Sequence, residues 1–139
     1  MKQVTEKLWI SGQPSEADLG GARERGVRRV INNRPENEDP TQPPLARSVE
    51  VAAGLGMDLV HIPVVPGQIT KEAVREFQSA VASSDGPVLA HCKSGMRSLS
   101  LWAIGEVLDG KLDAAELDAV GAGLGINLSG AKDWLRNNS

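Results

Sequence analysis

Short apolar runs alternate with amphipathic stretches along this chain, the pattern expected of an α/β fold. Leu8-Trp9-Ile10, stopped by Ser11-Gly12-Gln13-Pro14, predicts a strand and a turn. Ser15 ahead of Glu16-Ala17-Asp18-Leu19 predicts an N-cap with acidic first-turn residues, opening a helix that ends near Gly26. A second strand is expected over 27–32, with Val30 and Ile31 as its core. The Pro-, Asn- and acid-rich stretch 33–44 then reads as a loop. Leu45, Val49, Ala52 and Ala53 are at helical spacing, and this helix stops at Gly54 or Gly56. Residues 59–64 predict a third strand, with Pro63 marking a strand end or a sheet edge. Thr70 caps a helix running to about Ser84, whose Ala73, Val74, Phe77, Ala80 and Val81 share one face. Val88-Leu89-Ala90 is apolar throughout and suits the centre of a sheet. A small polar loop, 92–97, precedes a stretch, 98–108, that is apolar on most sides and predicts a buried helix ended by Asp109-Gly110. Two short helices complete the chain, one from Asp113 to about Gly121 and one capped by Ser129.

Strands alternating with helices imply a single-domain, three-layer α/β fold over 1–139: a small, mostly parallel sheet flanked by helices. No repeat, low-complexity tract or dividing linker interrupts it. The stretch from Gly121 to Gly125 has no strand before it, so it reads as a helix terminus and not as a nucleotide loop.

Composition narrows the partners. A net charge of −3 without any basic run disfavours nucleic acid or an anionic membrane. Three Trp, one Phe and no Tyr offer no base-stacking platform. No stretch is long enough to span a bilayer, and the first residues lack an apolar signal core. Two histidines and one cysteine match no zinc spacing, so no metal or other cofactor is expected. The single cysteine, Cys92, rules out an internal disulfide and fits a reducing, cytoplasmic setting.

That cysteine lies in the most informative segment. Val88-Leu89-Ala90-His91-Cys92-Lys93-Ser94-Gly95-Met96-Arg97-Ser98 sets it just past a central strand and just before a buried helix. A helix N-terminus at the carboxyl end of a strand presents unpaired N–H groups and favours an anion, whether a bound oxyanion or the thiolate itself. Gly95 permits the dihedrals that aim several amides inward, and Arg97 offers a planar fork for an oxyanion. Ser94 and Ser98 are expected to donate hydroxyl hydrogen bonds to the sulfur, and Lys93 and Met96 complete the anion-binding loop. A free cysteine is more commonly a small buried hydrophobe, but this combination favours a nucleophile.

His-Cys-x-x-Gly-x-Arg-Ser resembles the active-site loop of cysteine-dependent phosphatases and of rhodanese-type sulfurtransferases. The wider pattern resembles the bacterial beta-lactamase-hydrolase-like, phosphatase-like family. It is carried by Ile10-Ser11-Gly12-Gln13-Pro14, by Gly26-Val27 through Asn32-Asn33-Arg34-Pro35, by His61-Ile62-Pro63-Val64, and by the thiol loop with Leu101-Trp102-Ala103. This resemblance implies a fold like that of the dual-specificity phosphatases. The resemblance also implies that relatives often occur fused to a metallo-hydrolase-like or persulfide dioxygenase domain.

Two departures from the phosphatase pattern point toward sulfur. Four residues separate Cys92 from Arg97 where phosphatases of this type have five, and the shorter span resembles the rhodanese loop. Phosphatases of this class also supply an Asp general acid after an Ile-Pro strand end, whereas no Asp or Glu lies between Asp58 and Glu72. General acid catalysis typically contributes about 10²–10⁴-fold, while sulfite or a thiolate leaves without a proton. The leading expectation is therefore a sulfurtransferase working through a Cys92 persulfide. Its partners would be a small anionic sulfur donor such as thiosulfate and a thiol acceptor or persulfide dioxygenase. The alternative is a phosphatase acting on a phosphate ester through a phosphocysteine, with Glu36, Glu38 or Asp39 replacing the missing acid. A third reading is an oxyanion-binding module without turnover. His91 is expected to support the loop by hydrogen bonding, Arg34 to add charge at the pocket mouth, and Gln13 to line its rim. His61 reads as a satisfied strand histidine, and the acidic run Glu36–Asp39 as a solvated loop or a lid.

Overall fold

The computed structural model describes residues 1–138. Five strands, β1 (Lys2–Gln3), β2 (Leu8–Ser11), β3 (Arg29–Asn32), β4 (Asp58–His61) and β5 (Val88–His91), form one sheet in the order β1-β2-β5-β3-β4. All neighbours pair in parallel except β1, an edge strand antiparallel to β2 that hydrophobic patterning does not reveal. Six helices accompany them: α1 (Glu16–Glu24), α2 (Leu45–Gly54), α3 (Lys71–Ala82), α4 (Met96–Leu108), α5 (Leu117–Leu124) and α6 (Ser129–Asn137).

The three layers follow from side-chain alternation on the strands. Leu8, Ile10, Ile31, Val88 and Ala90 face a core completed by Val74 and Phe77 of α3, Leu99 and Ile104 of α4, and Ala131 of α6. Val30 and Leu89 point the other way, onto Leu19 and Ala22 of α1 and Ala52 of α2. Chain direction explains the division of helices. The path β2-α1-β3-α2-β4 runs toward one edge, and β4-α3-β5 returns toward the centre. With right-handed crossovers, the reversal places α3 on the opposite face. Ligands in such sheets bind where this reversal occurs, at the carboxyl ends of the strands. Here Ser11, His91, Asn32 and His61 stand in register at that end.

Boundaries shift from the sequence reading for identifiable reasons. Residues 27 and 28 are not in β3, because the Val27 N–H caps α1 by donating to the Ala22 carbonyl. Strand β4, expected over 59–64, runs from Asp58 to His61, and Pro63 lies beyond it. Helix α4 begins at Met96 and not at Ser98, so Arg97 sits in its first turn. Asp113 caps a short 3-10 turn, Ala114–Glu116, and α5 continues past Gly121 to Leu124. Ser129 is the first residue of α6 and does not cap it; its own N–H is received by the Asn127 side chain at 2.8 Å. Ser15 and Thr70 do cap α1 and α3. None of the helices is long and apolar enough to cross a membrane among the described residues.

Candidate active site

Four chain segments leave the carboxyl edge of the sheet and converge on Cys92. The first is Ser11-Gly12-Gln13 after β2. The Cys92 N–H donates to the Ser11 carbonyl at 3.4 Å, and the Gln13 N–H donates to the Lys93 carbonyl at 3.4 Å. Gly12 lies so close to the thiol loop that a Cβ there would meet the Lys93 carbonyl oxygen at 2.7 Å. A side chain at that position would displace the loop backbone.

The thiol loop itself turns on Gly95, whose φ of +93° is left-handed and strained for any other residue. That conformation aims the Gly95 N–H at Cys92 Sγ, 3.0 Å away. Burial pushes the Cys92 thiol up, but the backbone N–H groups of Ser98, Ser94, Arg97 and Gly95 outweigh it, and its pKa falls below the ordinary 9.0. The structure corrects one expectation here, since amides and not serine hydroxyls hold the sulfur. Ser98 Oγ donates instead to Asn33 Oδ1 at 2.8 Å, and Asn33 in turn donates to the Ile62 carbonyl. This buried chain ties α4 to the segments after β3 and β4. Alkylation by iodoacetamide should consequently titrate with a midpoint clearly below pH 9.0; a midpoint at or above that value would refute the amide-stabilised thiolate.

Arg97 is aimed by the third and fourth segments. Its Nη1 donates to Glu38 Oε2 at 2.7 Å and to the Val64 carbonyl at 2.9 Å, and its Nη2 donates to Glu38 Oε1 at 2.8 Å. A guanidinium carries five N–H groups, so two remain: Nε–H and the second hydrogen on Nη2. These two share one edge of the guanidinium; burial lowers the Arg97 pKa, but the hydrogen bonds to Glu38 and the charge of Cys92 outweigh it and raise it.

Arg34, expected at the pocket mouth, is instead only 2% exposed. It donates to Glu38 at 3.0 Å, to Asp39 at 2.7 Å and to Gln13 Oε1 at 2.9 Å. Its backbone is held by Asn32 and by His61, whose Nε2 lies 2.7 Å from the Arg34 carbonyl oxygen. Arg34 is thus the buried anchor of the 33–44 loop, and Gln13 braces it. Glu38 and Asp39 turn inward from that loop, while Glu36 is exposed. The Arg97 guanidinium, and after it Arg34, holds the Glu38 carboxyl below its ordinary 4.5. Asp39 is likewise depressed, by Thr41 and Arg34. Both carboxyls are thus held toward the ionised form, and Glu38 is engaged on Arg97 through both of its oxygens. Lys93 is exposed, 3.6 Å from Asp39. His91 lies at the edge of hydrogen-bond range, with Nδ1 3.4 Å from the Cys92 carbonyl oxygen. Burial and the nearby Arg34 and Arg97 charges push its pKa down to about 4, so it is neutral at pH 7. No cluster of three metal-ligating side chains occurs among the described residues.

Comparison with known proteins places this geometry. The profile of the family "Beta-lactamase hydrolase-like protein, phosphatase-like domain" matches residues 1–109. A beta-lactamase hydrolase-like protein from Agrobacterium fabrum is 39% identical over 137 residues, covering 99% of this chain and 32% of the relative. The chain therefore spans about a third of the length of the curated relatives it matches. A crystal structure of a candidate phosphatase from Neisseria meningitidis superimposes with a TM-score of 0.88 at 29% identity, covering 98% of this chain and 96% of the other. The catalytic domain of a PP-IP phosphatase from S. cerevisiae shares the fold with a TM-score of 0.69 at 17% identity, covering 87% and 73%. These descriptions favour the phosphatase alternative over the sulfurtransferase first expected, and they lend no support to a sulfur donor or a persulfide dioxygenase partner. The shorter loop, which had pointed to sulfur, still closes four backbone N–H groups around Cys92.

Proposed function

Because this chain belongs to the beta-lactamase hydrolase-like, phosphatase-like domain family, we propose that it is a cysteine-dependent phosphatase acting through a phosphocysteine. One observation carries the reading. At a single sulfur, the Gly95 N–H and the neighbouring loop amides meet a guanidinium whose outer edge is occupied by Glu38 and which also interacts with Cys92. A phosphoryl group seated on Cys92 Sγ would receive the loop amides on its equatorial oxygens and the Arg97 Nε/Nη2 edge on two of them. The thiolate attacks phosphorus in line, the S–P bond forms, and the P–O bond to the leaving group breaks with its electrons. Water then attacks the phosphocysteine, releasing phosphate and restoring the thiolate. Lys93, Ser94, Gly95, Met96 and Ser98 form the cradle, and Glu38 and Asn33 position it. His91, neutral and buried, serves the packing of the loop. A reducing compartment such as the cytoplasm suits a lone nucleophilic thiol.

Leaving-group chemistry narrows the substrate. No Asp or Glu occurs between Asp58 and Glu72, and Glu38 is held ionised. A phenol, with a pKa of about 10 or below, departs with less help from an acid than an alkyl alcohol does. Aryl phosphates should accordingly be hydrolysed and simple alkyl phosphates should not. Incubation with 4-nitrophenyl phosphate should release nitrophenol catalytically, and an acid quench should trap phosphate on Cys92. Thiosulfate should leave the intact mass unchanged. Absence of aryl phosphate turnover, with addition of one sulfur from thiosulfate, would restore the sulfurtransferase reading.

A further inference from the structure

We infer that the C-terminal helix α6 supplies the subsite for the leaving group, and that this subsite takes an uncharged, apolar group; the inference rests on the phosphatase reading. In-line displacement puts the leaving oxygen opposite Cys92 Sγ, on the open side of the loop, so the remainder of the substrate must lie across the adjacent surface. A cavity of about 510 Å³ adjoins the end of the thiol loop at Met96, with Arg97 in its wall. Pro66 and Gly67, which follow the Val64 carbonyl that receives Arg97, form one side of it, and Trp134 of α6 forms the other. Met96 lines the cavity at the first turn of α4 and, at 45% exposed, presents its flexible thioether to whatever enters. The indole N–H of Trp134 donates to the Ile69 carbonyl at 2.7 Å, which fixes the ring and the spacing of the two walls.

Charge selects against the alternative occupant. Among the residues lining the cavity, Arg97 is the one cation and Asp133 the one carboxylate. Arg97 is committed to Glu38 and the phosphoryl site, and Asp133 is paired with Arg136 at 3.2 Å. A leaving group carrying a second phosphate or a carboxylate would find no basic partner and would face Asp133. An aromatic ring would cover Met96 and Trp134 instead.

Three aryl phosphates of similar leaving-group pKa test this: 2-naphthyl, phenyl and 4-carboxyphenyl phosphate. The wild-type kcat/KM should fall in that order, with steps of about tenfold. Trp134→Ala and Met96→Ala should bring the naphthyl-to-phenyl ratio close to one. Trp134→Phe keeps the apolar wall and loses only the bond to Ile69, so it should retain the ratio; a purely structural Trp134 would not be rescued in this way. Asp133→Asn should raise kcat/KM for the carboxyphenyl ester relative to phenyl phosphate. A phosphotyrosyl peptide assayed beside the naphthyl ester separates the two carriers of this chemistry, and Trp134→Ala should lower activity on whichever is preferred. An unchanged ratio in Trp134→Ala and Met96→Ala, with the wild type hydrolysing all three esters, would overturn the assignment. No turnover of any ester would instead overturn the phosphatase reading beneath it.

Discussion

Cys92→Ser should eliminate aryl phosphate turnover, by on the order of 10⁴-fold or more, while leaving the fold and phosphate affinity in place. The loss follows from the nucleophile. At neutral pH the sulfur is held toward the thiolate by four backbone donors, and a serine hydroxyl in the same place, with no adjacent general base, has no comparable route to ionisation. His91 does not supply that route, because a pKa pushed down to about 4 makes it a weak base and its Nδ1 faces the Cys92 carbonyl rather than the side chain. Retention of the fold follows from packing. Cys92 is 1% exposed, and serine is slightly smaller, with an oxygen able to accept the Gly95 N–H that now reaches sulfur at 3.0 Å. Phosphate or vanadate should therefore raise the Tm of the variant at least as much as that of the wild type, since removing the thiolate removes a repulsion. Kinetics and calorimetry together discriminate the readings. Turnover that persists in Cys92→Ser excludes cysteine chemistry. Oxyanion stabilisation in both proteins, without turnover in either, identifies a binding module.

The distance from sequence to site differs among the parts. Cys92, Gly95 and Arg97 are legible because a strand end, a left-handed glycine and a helix start are encoded within six consecutive residues. The helix caps at Ser15 and Thr70 and the central position of β5 are legible for the same local reason. The partners of Arg97 are not. Glu38 is 59 residues away, in a loop whose composition predicts solvation, and only the anchoring of Arg34 by Gln13, Asp39 and His61 turns that loop inward. Ser98 illustrates the same limit. Its position in the loop predicts a hydroxyl bond to the sulfur, yet the register of β3 beside β5 brings Asn33 within 2.8 Å of it, and an amide oxygen is the better acceptor for the proton. The cleft at Trp134 has no counterpart in the sequence, because α6 is short and no motif marks its tryptophan; the bond from its indole to Ile69 appears only in the fold.

Arg97→Lys should lower kcat/KM on aryl phosphates by about 10²–10³-fold, the scale of losing one preorganised oxyanion donor. Charge is conserved in this variant, so the effect isolates geometry. The guanidinium spends three N–H groups on Glu38 and the Val64 carbonyl and keeps two, on one edge, for the phosphoryl oxygens. An ammonium has three donors at one point and cannot satisfy Glu38 while also presenting a parallel pair to phosphate. Glu38→Gln is the complementary change. It leaves the guanidinium intact but replaces one carboxylate oxygen with an NH₂ that faces donors, so Arg97 is no longer held at a fixed angle. A misplacement near 1 Å can cost up to about 10²-fold, which bounds the expected loss below that of Arg97→Lys. The pH profile separates orientation from proton donation. The Glu38 carboxyl is depressed below 4.5 in the folded protein, so its pairing with Arg97 is complete above that pH and is lost as the pH falls through the depressed value. Wild-type activity should thus lose a component on the acidic side, below about pH 4.5, and Glu38→Gln should lack that component while being slower throughout. A Glu38 acting as general acid would behave oppositely, with Glu38→Gln removing a limb on the alkaline side; that outcome would overturn its assignment as the group that aims Arg97.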